Sequence, residues 1–149
     1  MCLNLEKATL PMAQRDYLMQ QLEEMGYFLA SLLRRLMKMK DENQETELTS
    51  ALHDSIQERL SFSIDEAITI NNSAFLNLMK EHFKTESHLE KMAELLLLSA
   101  MSIQPSMSPE RLNYLEKSLY LYNHLQKTSI NFSLEREDKI LEIQQILRN

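Results

Sequence analysis

The chain has 149 residues, a net charge of −6, one glycine, three prolines, one cysteine and no tryptophan. Its length suits one domain, and 44% hydrophobic beside 26% charged residues describes a globular protein rather than a disordered tail. One glycine cannot supply the turns of sheets and nucleotide-binding loops, and one cysteine cannot close an internal disulfide. The abundant Leu, Met, Glu, Gln and Lys lose little rotamer freedom in helices, so an all-α fold is predicted.

Residues 1–11 read as a flexible N-terminal extension. Glu6 and Lys7 interrupt the apolar run that a signal peptide needs, and no apolar stretch approaches about 18 residues, so the cytoplasm is the expected compartment. Thr9 is placed to cap a helix whose first turn takes Pro11. A long amphipathic helix is predicted over 12–40, with Leu18, Leu22, Met25, Leu29, Leu32, Leu36 and Met39 alternating in steps of four and three. Such a seam either pairs with another helix, making helix 12–40 the principal association surface, or packs inside the monomer against helix 86–102.

Beyond a polar stretch, a helix is predicted over 46–60 with Leu48, Leu52, Ile56 and Leu60 on one face, then a short helical turn after Ser63. Asn71 and Asn72 cap a helix running through Phe75, Leu76, Leu78, Met79 and Phe83. Thr85 opens helix 86–102, apolar nearly all round and the predicted centre of the core. Ser108 and Pro109 start helix 109–127 with Leu112, Leu115, Leu119, Tyr122 and Leu125 as its stripe. Ser133 starts helix 134–147, with Ile140, Leu141, Ile143, Ile146 and Leu147 inside.

The segment Gln14-Arg15-Asp16-Tyr17-Leu18-Met19-Gln20-Gln21-Leu22-Glu23, continued by Phe28, Leu29, Ala30, Leu32 and Leu33, resembles the opening of a bacterial family of small helical proteins of unknown function. Members of that family start near the position of Met12; the resemblance implies no activity and no ligand. Helices 86–102, 109–127 and 134–147, following one another across short loops, resemble tetratricopeptide-type hairpins. The repeat period of about 34 residues and the small residues at hairpin crossings are missing. The implied architecture for 46–149 is therefore stacked antiparallel hairpins without true repeats, within one domain spanning 1–149, and the implied role is a protein-binding scaffold.

Candidate chemistry is sparse. His82, Glu86 and His88 form the one mixed set suggesting a metal-binding protein or small enzyme, but a predicted break near Thr85 separates His82 from the others. His53, Asp54, Ser55 and Glu58 are too close in sequence to converge on one helix face, and the acidic pairs Glu23–Glu24 and Asp65–Glu66 read as solvated helix surface. Arg34, Arg35, Lys38 and Lys40 read as cations closing a helix against its dipole rather than as a membrane contact.

Residues 1–40 carry six Lys or Arg against four Asp or Glu, and 41–149 carry ten against eighteen, a balance that argues against nucleic acid as partner. No cofactor or small-molecule substrate is implied, and no catalytic residue is assigned. The expected function is a non-enzymatic binding module whose partner is another protein or a second copy in a homodimer. Its candidate contacts are Leu18, Leu22, Met25, Leu29, Leu32 and Leu36 with Tyr114 and Tyr120, and Met12, Met19, Met37 and Met107 are expected at the surface.

Overall fold

Residues 11–149 are described by a computed structural model; the predicted extension, Thr9 included, lies outside them apart from Pro11. Among the described residues there are seven α-helices and no strand: α1 (Met12–Asp41), α2 (Leu48–Leu60), α3 (Ile64–Ala67), α4 (Asn72–His82), α5 (Glu86–Ser102), α6 (Pro109–Thr128) and α7 (Leu134–Arg148). A 3-10 turn over Glu45–Glu47 leads into α2. The all-α expectation holds, with a long first helix followed by packed helices.

Local chemistry sets most of the helix starts. Oxygens of Ser63, Asn71, Thr85, Ser108 and Ser133 accept the backbone N–H of Glu66, Ala74, His88, Arg111 and Arg136 at 2.8–3.3 Å, opening α3 to α7. Each cap satisfies one of the four N–H groups that a helix start leaves unpaired and contributes about 1 kcal/mol. The scarcity of glycine shows at the helix ends. Asn43 (φ 61°) follows α1 and Ser61 (φ 60°) closes α2, both in the left-handed region, at a cost of about 1 kcal/mol or more for a residue with a Cβ.

Helix α5 is the hub. Met92, Ala93, Leu95, Leu96 and Ala100 have no exposed surface, and burying a leucine so completely contributes roughly 1.5–3 kcal/mol. Helix α6 runs back along it: the Ser118 hydroxyl donates to the Ala93 carbonyl at 2.7 Å, and Arg111 Nη1 to the Ile103 carbonyl at 3.4 Å. Helix α7 then reverses against α6. Helix α1 runs in the same direction as α5, with Gly26 beside His88 and with Leu33 and Met37 beside Leu97 and Met101. Helix α2 returns along α1, held by Arg35 Nη1 on Ser55 Oγ at 3.3 Å and by Arg59 over the Phe28 ring. Thus α1, α5 and α7 share one direction while α2 and α6 run against it.

Two apolar stripes differ from expectation. On α6 the buried positions are Arg111, Tyr114, Leu115, Lys117, Ser118, Leu121, Tyr122 and Leu125, so Leu112 and Leu119 are only half-buried. The helix turns its polar Ser118 inward because that hydroxyl finds a carbonyl on α5. On α7, Leu141 is 54% exposed although predicted inside, because α6 and α5 cover only the side bearing Arg136, Ile140 and Ile143.

Candidate functional site

The seam of α1 splits along its length. Leu29, Leu32 and Leu36 lie in the core against α5 and α2, Leu22, Met25 and Met39 are half-buried, and Leu18 is 38% exposed. The proposed association surface is therefore corrected for its central residues: the internal alternative accounts for Leu29, Leu32 and Leu36. Tyr114 is corrected as well. It has no exposed surface and its hydroxyl lies deep in the fold, where burial and the Asp65 carboxylate push its pKa up. Tyr120 is half-buried at the core edge. Met12, Met19, Met37 and Met107 are exposed as expected.

The metal reading loses its geometry. His82 stacks on Phe62 with ring centroids 4.7 Å apart, Glu86 accepts the Ser129 hydroxyl at 3.1 Å, and His88 is buried against Gly26 of α1. Three different neighbours hold three diverging side chains. Among the described residues no three His, Cys, Asp or Glu side chains gather closely enough to hold a metal ion; Cys2 lies outside those residues. His53 likewise turns from its sequence neighbours to Asp65, with Nδ1 and Oδ2 3.6 Å apart. No helix among the described residues is long and apolar enough to cross a membrane.

The structure does bring together a groove that the sequence left hidden. Leu33, Met37 and Lys40 of α1 form one wall and Lys139 and Glu142 of α7 the other, with Glu94, Leu97, Leu98 and Met101 of α5 as its floor. It holds about 180 Å³ and is partly open to solvent. Each helix contributes residues three or four apart, which line up on one face. Leu97, Leu98 and the flexible Met101 make the floor apolar apart from Glu94, Met37 adds a second methionine on the α1 wall, and on the α7 wall Lys139 and Glu142, one turn apart, pair at 3.7 Å. Burial, reinforced by Glu90 and Glu135 and opposed by Lys139 and Lys91, holds the Glu94 carboxyl above its usual range.

Below the groove a buried arginine locks α7 in place. Arg136 donates from Nε and Nη2 to Glu90 Oε1 at 3.1 and 3.0 Å, and from Nη1 to Gln126 Oε1 at 3.0 Å and the Leu125 carbonyl at 3.4 Å. One guanidinium thereby ties together α5, α6 and α7 and holds the α7 wall against the floor helix. Composition alone hid this arrangement, because the tetraleucine of α5 reads as core on every side. The available signal was Glu90 and Glu94, four residues apart, which mark the side of α5 facing α7.

No protein-family model matches the chain, and no curated protein or solved structure matches it.

Proposed function

We propose that this protein is a non-enzymatic binding module whose α1–α5–α7 groove receives an apolar helical segment of a partner protein. The observation that carries the reading is the groove itself: Leu97, Leu98 and Met101 on the floor beside Glu94, Leu33 and Met37 with Lys40 on one wall, and Lys139 and Glu142 on the other. Amphipathic helices lie in grooves of this kind with residues at i, i+3 or i+4 and i+7 seated on the floor. Methionines accept such side chains readily because the thioether chain is unbranched and polarisable. The irregular stacking of α5, α6 and α7, tetratricopeptide-like in its short loops, would then act as the support rather than the contact.

Methyl resonances of Met37 and Met101 provide the test. Amphipathic helical peptides selected from a random library against the full-length protein should shift both methyl signals, and Leu98→Arg, which raises a charge on the half-exposed floor, should abolish that shift while keeping the helical circular dichroism signal. Selected peptides that perturb other methyls, or bind Leu98→Arg unchanged, would refute the groove reading.

A further inference from the structure

We propose, resting on the groove reading, that the helix received there carries a lysine or arginine one turn from its apolar residues and seats that cation on Glu94. The groove does not end at this residue. Glu94 also borders a second cavity of about 300 Å³, lined by Glu86, Ser87, Glu90 and Lys91 of α5 and by Arg136 of α7. Together the two follow α5 from Glu86 to Met101, a trough of roughly 22 Å. One end is rich in carboxylates, the other is apolar, and Glu94 stands at the change.

The state of Glu94 identifies the occupant. It is half-buried, and among the described residues it has neither a hydrogen bond nor an ion pair. The cations nearest to it are engaged elsewhere: Arg136 on Glu90 Oε1 at 3.0 Å, Lys91 on Ser87 Oγ at 2.9 Å and Lys139 on Glu142 at 3.7 Å. Lys40 stands at the far end of the trough. With Gly26 level with His88 on parallel helices, the level of Lys40 is about 12 Å beyond that of Glu94. Acids also outnumber cations here, since Glu86, Glu90, Glu135 and Glu142 join Glu94 against Lys91, Arg136 and Lys139. The buried Tyr122 hydroxyl, itself without a hydrogen-bond partner, registers the same excess: after burial, Glu94, Glu90 and Glu142 push its pKa up and Arg136 alone opposes them. A wholly apolar helix laid on Leu97 and Leu98 would seal Glu94 from water and leave it unpaired, one turn away. A helix with Lys or Arg at that level replaces the lost water with a charge-assisted hydrogen bond.

A library of helical alanine–glutamine peptides tests this against the full-length protein, each peptide having leucines at i, i+4 and i+7 and a randomised residue one turn before and one turn after them. Binders that shift the Met37 and Met101 methyls should carry Lys or Arg at one of those two positions. Replacing it with norleucine should weaken binding about tenfold or more. Glu94→Gln, with helical content unchanged, should erase the advantage of lysine over norleucine, whereas Glu58→Gln, on the exposed surface of α2, should leave it intact. A glutamate at the same peptide position should bind Glu94→Lys more tightly than it binds the wild type. Binders that shift both methyls without Lys or Arg at either position, or whose lysine advantage survives Glu94→Gln, overturn the cation seat and leave the groove standing. A library with no member that shifts those methyls ends both.

Discussion

Helices α1 and α5 look alike in sequence as apolar seams, and the fold uses them in opposite ways. Helix α5 is 17 residues long and buried over most of its surface, with Glu86, Glu90, Lys91 and Glu94 grouped on the side toward solvent and α7. Helix α1 is 30 residues long with the more regular heptad spacing, yet only Leu29, Leu32 and Leu36 are buried. The difference lies in neighbours. Helix α5 is flanked by α1, α2, α6 and α7, whereas α1 runs on past the start of α5 and leaves Leu18 and its surroundings uncovered. Regular periodicity marks an apolar face, and only the presence of a partner at that level decides whether the face is core.

The sharpest break of this contrast is a charge placed in each seam. Leu96→Asp should unfold the protein, costing about 4 kcal/mol or more, while Leu18→Asp should change stability by about 0.5 kcal/mol or less; urea unfolding measures both. Removing one member of the Arg136–Glu90 pair comes next. Glu90→Leu strands a guanidinium with 8% of its side chain exposed and should cost roughly 3 kcal/mol, whereas Arg136→Met together with Glu90→Leu should recover most of that loss in a double-mutant cycle.

Smaller effects probe the contact between the two helices. Gly26→Ala in α1 should stabilise by roughly 0.5–1 kcal/mol, since the added methyl meets His88 Nε2 at an ordinary 3.6 Å and the helix interior gains a better helix former. A modest pH slope should be the least of the effects. Burial lowers the pKa of His88, with the Leu22 backbone opposing and Lys91 assisting; His124 is lowered by burial, Lys80 and Lys127. A lowered folded value means that the unfolded chain binds protons first. Stability should therefore be full above about pH 6.5 and decline as pH falls through the folded values, and His88→Gln with His124→Gln should flatten the decline of the melting temperature.

Much of the fold was legible because its signals are local. Ser63, Asn71, Thr85, Ser108 and Ser133 announce helix starts from short-range chemistry alone, and the starts of α5, α6 and α7 fall where those residues put them. The rotation of α6 was not legible, since it depends on Ser118 meeting a carbonyl 25 residues away in sequence. The groove escaped for the same reason. Leu33, Leu98 and Glu142 belong to three helices with no common pattern, and only their packing around α5 brings them to one place.

The shared direction of α1 and α5 has a consequence for the order in which the chain folds. Helices α5, α6 and α7 are joined by short loops and close on one another through contacts local in sequence, such as Arg111 with Ile103 and Arg136 with Gln126. Bringing Gly26 beside His88 instead requires closing a loop of about 60 residues, whose entropy must be lost before any contact repays it. In pulse-labelled hydrogen exchange, amides of α5 to α7 should gain protection first, with α1 docking last onto a hub already in place.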